Sequence, residues 1–386
     1  LFILNDEAIV PFNYAADDLP TVRPEARTNN RILYENFHYD EDNTTFEIDY
    51  SGINIWDAVE DPLAYEEQIM HIWESIHYGR LLIEKLNQYD QIPDFSKGED
   101  AVDFNYLKLN RLMRVHYAYA MLMLKKGEFE NAAHTLGQTY SMVKKIFPYS
   151  RYLISKTIYN ALAHQHIRYA YNIASDPGCD KTTLMMLKKF FPPLAPAHCS
   201  SRGAYIGEYF YMKNSVEKYQ HDVVGLFCEY YTRVDHEQCY PQWNDWVLKF
   251  FLTFNYKPKK SWNQTTNLFN SILSEMNNRP LNFSESKSIF EKNQSPDLLG
   301  NYAHYLMSDR SWMFIGPWTL AERTAETKVI SDLFYLFLQH QLEIPFEMQD
   351  HITGERYIEA ESPGIYFSPG FDCVSSTEDD IFLEGL

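Results

Sequence analysis

Residues 106–147 read YLKLNRLMRVHYAYAMLMLKKGEFENAAHTLGQTYSMVKKIF, and this stretch decides the fold. Leu109, Leu112, Met113, His116, Ala120, Met123 and Leu124 recur at spacings of three and four, which places them on one face of a helix of about five turns. Gly127 ends that helix. Phe129, Ala132, Ala133, Leu136, Tyr140, Val143 and Phe147 repeat the spacing. Only the short link Lys125-Lys126-Gly127-Glu128 separates the two runs, so the helices must lie antiparallel as a hairpin. Gly127 with Ala132 and Ala133 suggests a close crossing of the two.

Outward from the hairpin the same reading continues. Residues 1–60 read as an extended arm interrupted by Pro11, Pro20 and Pro24, with Thr45–Tyr50 alternating polar and apolar as a strand does. Ile69, Ile72, Trp73, Ile76, Leu81, Ile83 and Leu86 form one amphipathic run that stops near Pro93. After the hairpin, Ile154, Ile158, Ala161, Leu162, Tyr169 and Ile173 carry a third core helix, ended by Ser175-Asp176-Pro177-Gly178. Asp180 is placed to cap a short helix through Leu184 and Leu187. Further helices are expected around Tyr205–Tyr219, Trp243–Trp246 and Leu268–Met276, and a last long one through Ala325, Val329, Ile330, Leu333, Phe334 and Phe337. Beyond Pro345 the character changes: Thr353-Gly354 reads as a turn and Ile365–Ser368 as a strand bounded by Pro-Gly pairs. The expected fold is therefore all-α, built of antiparallel helical hairpins in a tetratricopeptide-like or irregular array, with a small C-terminal β element. The segments are an extended N-terminal arm (1–60), an α-helical domain (61–345) and a small β tail (346–386). No 34-residue echo of the hairpin is present to mark a repeat family.

Composition bounds the function classes. The 386 residues are 45% hydrophobic and 16% aromatic, enough for a large core with aromatic side chains filling wide gaps between helices. No run approaches the roughly 18 uninterrupted apolar residues of a membrane span, so a water-soluble chain is expected. The sequence begins at Leu1, which suggests removal of a targeting or anchoring segment. The net charge of −19 is unevenly spread: 22 acids against 6 bases in residues 1–100, 20 against 27 in 101–340, and 11 against 1 in 341–386. Acidic ends flank a mildly basic middle, and they either face solvent or meet Lys108, Arg111, Arg114, Lys144, Lys145 and Arg151 or a partner protein. Such a surface repels phosphate, which argues against nucleic acid.

The reactive residue types form no recognisable constellation. Cys179, Cys199, Cys228, Cys239 and Cys373 lack CxxC spacing, which disfavours zinc. In an oxidising compartment Cys179–Cys199 and Cys228–Cys239 could each close a short loop; in the cytosol all five would be thiols. The pairs His71/His77 and His164/His166 miss the i, i+4 spacing of helical metal ligands. Adjacent His198 and Cys199 rarely point toward each other as a base and nucleophile must. No HExxH, GxSxG, phosphate loop or GxGxxG occurs.

Several pieces taken in order resemble a group of mostly helical bacterial proteins attached to the cell envelope by an N-terminal membrane segment: the Leu81–Pro93 helix, the Lys126-Gly127-Glu128 link, the Phe191-Pro192-Pro193 break and the Leu298-Leu299-Gly300 step. The tail is the most specific part. Asp350, Thr353-Gly354, Tyr357, Tyr366, Ser368, Gly370 and Asp372 resemble the end of type II secretion pseudopilins, although His351 stands where a proline is usual there. The resemblance implies an extracytoplasmic, periplasmic or cell-surface location and anchoring through a segment not present in this chain. It also implies a calcium site, for which Asp372, Glu378, Asp379 and Asp380 are the candidate ligands, with no other cofactor and no catalytic residue expected. The functional expectation is a non-enzymatic protein-binding or scaffolding component of a multi-subunit envelope or secretion-related assembly. The alternative is a hydrolase or modifying enzyme with a pocket between helices.

Overall fold

The computed structural model describes residues 53–93, 105–218, 258–278, 280–283, 317–345, 347–362 and 364–383, with isolated positions before residue 50 (11–13, 21–23, 26, 32, 36, 37 and 48) and residue 288. It is mostly helical with a small antiparallel sheet near the C-terminus. The chain forms two compact units, Leu1–Leu19 with Ser201–Glu322, and Pro20–Ser200 with Arg323–Leu386. These units cut across the three segments read from the sequence.

The larger unit opens with α1 (Ile55–Glu60), α2 (Glu66–Ser75) and α3 (His77–Asn87). The arm expected to stay extended to residue 60 is thus already helical at Ile55, where Asn54 caps α1 by accepting the Trp56 amide. The single run expected from Ile69 to Leu86 is two helices broken at Ile76, whose ψ of 18° leaves the helical region. The Thr45–Tyr50 strand and the Trp243–Trp246 helix fall outside the described residues, apart from Ile48, which is in no strand.

The hairpin is as expected: α4 (Tyr106–Lys125) and α5 (Phe129–Ile146) pack along their lengths. All seven predicted inward residues of α4 are buried. Gly127 ends α4 in the left-handed conformation at φ 76°. Its amide donates to Leu124 O (2.9 Å), and the Glu128 amide donates to Met123 O (2.9 Å). A side chain there would meet nothing within 4 Å, so Gly127 serves the turn and not the crossing. The glycine that does serve a crossing is Gly137: a Cβ would lie 2.3 Å from the Phe190 ring, which packs onto α5 from α7 (Lys181–Phe190).

α5 is the hub, with α3, α4, α7 and α6 (Leu153–Ala174) all against it. Asn87 of α3 donates to Gln138 O (2.8 Å), Tyr140 stacks on Phe191 (4.3 Å), and Trp73 of α2 stacks on Tyr119 of α4 (3.8 Å). Asp180 caps α7 as predicted, accepting the Thr183 amide (2.8 Å). α6 follows its reading in part: Leu162, Tyr169 and Ile173 are buried as expected. Ile154 and Ala161 are exposed, while Ser155, Lys156, Asn160 and His166 are buried. The short turn α8 (Pro196–Cys199) and α11 (Pro317–Gln341), from Arg323 onward, complete the helical part of this unit.

In the smaller unit α9 (Arg202–Lys218) packs on α10 (Pro258–Glu275) through Tyr205, Tyr209 and Phe269, with Phe12 stacked on Tyr209 at 3.7 Å. Among the described residues no helix is long and apolar enough to cross a membrane.

Candidate functional site

Two features of the larger unit carry chemistry: a buried set of charged side chains and the C-terminal sheet. The first begins with Lys156, which the geometry of α6 turns inward until it is 1% exposed. Its ammonium donates to Phe147 O (3.0 Å) and His198 O (2.7 Å) and lies 3.9 Å from the centre of the Phe147 ring. Burial pushes its pKa down from 10.5 to about 7, against a small opposing pull from Cys199. Cys199 is itself buried, and burial raises its thiol to about 12 despite the nearby Lys156 and Lys328. It is a thiol at neutral pH and not a nucleophile. His198 does not serve as its base: the Nδ1 atom accepts the Ala195 amide (3.1 Å), and burial with the neighbouring lysines lowers its pKa to about 4.

α11 brings the opposite charge. Lys328 and Asp332 sit one turn apart on its buried face and form an ion pair, and Tyr357 from the tail donates its hydroxyl to Asp332 Oδ2 (3.0 Å). Burial raises the Asp332 carboxyl to about 6, partly offset by attraction to Lys328 and the hydrogen bonds it accepts. Next to it, Ser331 accepts the Leu194 amide (3.0 Å). A third polar centre lies between α4, α5 and α6. His166 Nε2 is 2.8 Å from Thr139 Oγ1, and its Nδ1 is 2.6 Å from Leu162 O and 3.0 Å from Tyr117 Oη. Burial lowers its pKa to about 3, so the ring is neutral. Most of these groups bond to one another or to the backbone, which ties helices and tail together, while Asp332 Oδ1 is buried with no hydrogen-bond partner.

The tail is organised by carboxylates. Asp350 accepts the Ile352 amide (2.9 Å), the Thr353 hydroxyl (3.0 Å) and the Ser368 hydroxyl (2.7 Å), so the turn at Gly354 (φ 79°) is tied to a strand. Three strands follow: β1 (Ile358–Glu359), β2 (Tyr366–Ser368) and β3 (Ile381–Phe382), antiparallel in the order β1-β2-β3. The register pairs Ile358 with Phe367 and Phe367 with Phe382, which sets these three apolar side chains in one row on one face. Phe367 and Phe382 stack at 4.9 Å, while Ile358 and Phe382 remain 37% and 39% exposed. Against α11 the tail closes tightly, since a Cβ on Gly364 (φ 82°) would lie 2.2 Å from the His340 ring.

Of the four acids named as candidate calcium ligands, three accept hydrogen bonds within the tail loop. Asp379 accepts the Phe371 amide (2.7 Å), the Asp372 amide (3.0 Å) and the Thr377 hydroxyl (2.8 Å). Asp372 accepts the Val374 amide and Asp380 the Ser376 amide, both at 2.7 Å; Glu378 is exposed. These bonds hold a loop in which Cys373 (φ 58°) and Ser376 (φ 69°) take left-handed backbone, a strained conformation for side-chain-bearing residues. Gly370 is needed there, because a Cβ would lie 2.2 Å from Asp379 O. Among the described residues no group of three or more His, Cys, Asp or Glu is disposed to hold a metal ion. The Cys179–Cys199 bridge is absent, both residues being free thiols together with Cys373; Cys228 and Cys239 lie outside the described residues.

Sequence reasoning missed Lys156, Lys328 and Asp332. For the α11 pair a signal exists: opposite charges four apart, Lys328 and Asp332, set among the apolar residues Val329, Ile330, Leu333 and Phe334. For Lys156 none exists, because its partners are backbone carbonyls. No family model, curated protein or solved structure matches the chain.

Proposed function

We propose that this chain is a non-enzymatic protein-binding or scaffolding component of a bacterial cell-envelope or secretion-related assembly, and that it meets its partner through the tail sheet. The observation that carries this reading is the row Ile358, Phe367 and Phe382, an apolar strip left open on a sheet whose other attachments are buried and hydrogen-bonded. Partly exposed aromatic pairs on a rigid support are the kind of surface that anchors partner proteins. The envelope location rests on the pseudopilin-like residues of the tail, several of which act together: Asp350 binds Thr353 and Ser368, and Ser368 accepts the Gly370 amide (3.2 Å). Replacing Phe382 by a photo-crosslinking phenylalanine analogue in the native source tests the reading. A discrete adduct to another protein is expected, and its absence after irradiation contradicts it.

An enzymatic reading has one specific support, the near-neutral Lys156, since amines poised near pH 7 can act as bases or nucleophiles. Its ammonium is 1% exposed and committed to two carbonyls, which favours the binding reading.

A further inference from the structure

We infer that the partner of the tail sheet is a cationic protein segment, one that sets an apolar side chain against Ile358, Phe367 and Phe382 and its lysines or arginines against the surrounding carboxylates. The inference rests on the binding role proposed above and adds the chemistry of the occupant. Residues 341–386 hold 11 acids and a single base, Arg356, whose guanidinium is paired with Glu347 at 2.9 Å. Glu355, Glu361, Asp372 and Glu378 are exposed, while Glu359 pairs with Tyr366 on the opposite face of the sheet and accepts the Gly364 amide (3.1 Å). The field around the apolar row is therefore negative, and it disfavours two other occupants. A second copy docking by the same face would bring like charges together, and an anionic lipid surface would be repelled. Strand addition is also a poor fit, since β1 and β3 are two residues long and present little edge to pair with. Side chains on the sheet face must supply the contact, with charge steering the approach.

The test uses the full chain and a fluorescein-labelled synthetic decapeptide of lysines and arginines around a central Leu-Phe, with a control in which glutamates replace the basic residues. Fluorescence anisotropy is followed from 20 to 300 mM sodium chloride. Saturable one-to-one binding of the cationic peptide is expected, with none of the acidic control. Affinity should fall at least tenfold in Phe382→Ser, several-fold in Glu355→Gln/Glu361→Gln/Glu378→Gln, and steadily with salt. The three glutamates are exposed, so the amide variant should keep the wild-type melting temperature and circular dichroism; Phe382→Ser gives up the stack on Phe367 and is compared with the wild type at a temperature where circular dichroism shows both folded. A peptide that does not bind, or that binds Phe382→Ser as well as the wild type, overturns the inference; so does a self-association that sedimentation shows Phe382→Ser to remove. If crosslinking at position 382 captures a protein whose yield ignores both salt and the amide variant, the binding role stands and the cationic partner falls. If nothing is captured, the binding role falls first.

Discussion

Replacing Lys156 by Met measures what the buried ammonium does to the fold. With a folded pKa of about 7 and an ordinary value of 10.5, the folded chain releases this proton before the unfolded chain does. The sign follows: between pH 7 and 10.5 the unfolded state binds more protons, so the lysine's contribution to stability rises with pH across that window. Each pH unit is worth about 1.4 kcal/mol, so the wild type should gain about 4 kcal/mol relative to Lys156→Met between pH 7 and pH 10. Met has similar length and no charge. It leaves Phe147 O and His198 O without their donor, a loss that does not vary with pH. Cys199 stays protonated throughout, being held up at about 12, and the buried tyrosines cancel in the difference. Urea unfolding of both chains at pH 7, 8, 9 and 10 gives the difference directly. A constant difference would refute a buried, charge-destabilised Lys156 and with it the assignment of α6's inward face.

Three other perturbations follow from single contacts. Gly137→Ala should lower stability by about 1–3 kcal/mol, because the new methyl meets the Phe190 ring. Phe190→Ala in the same chain should recover part of that loss, as a double-mutant cycle in urea shows. Asp379→Ala removes the acceptor for Phe371, Asp372 and Thr377, so limited proteolysis should cut within residues 371–380 faster, with calcium or chelator making no difference to the wild-type rate. His116, lowered by burial to about 4, and His166, lowered to about 3, stay neutral in the fold while their unfolded counterparts protonate near 6.5. The stability they contribute is intact above pH 6.5 and is lost by about 1.4 kcal/mol per pH unit for each as pH falls through that window, read from melting temperatures at pH 6.5, 5.5 and 4.5.

What the sequence made legible follows from which signals are local. The hairpin was readable because apolar spacing and the helix-ending Gly127 both act within one or two turns. The strand Tyr366–Ser368 was readable from its alternation, but β1 and β3 are two residues each and take their register from β2, which no local pattern encodes. α6 misled in part because its inward face includes polar residues: Lys156 and His166 find partners on Phe147, His198, Thr139 and Tyr117, most of them distant in sequence. Of the residues an apolar count selects, Leu162, Tyr169 and Ile173 are buried, while Ile154 and Ala161 face outward. The acidic tail was legible as a cluster, but the amides that Asp372, Asp379 and Asp380 accept are set by the loop's backbone geometry, which composition does not encode.

The most direct measurement is a paired affinity purification from the native source, with the wild-type chain and Phe382→Glu as baits at equal expression and equal melting temperature. The account predicts one protein retained by the wild type at fixed stoichiometry and lost with the variant. Equal retention by both baits, or by neither, would contradict a partner-binding role for the tail sheet.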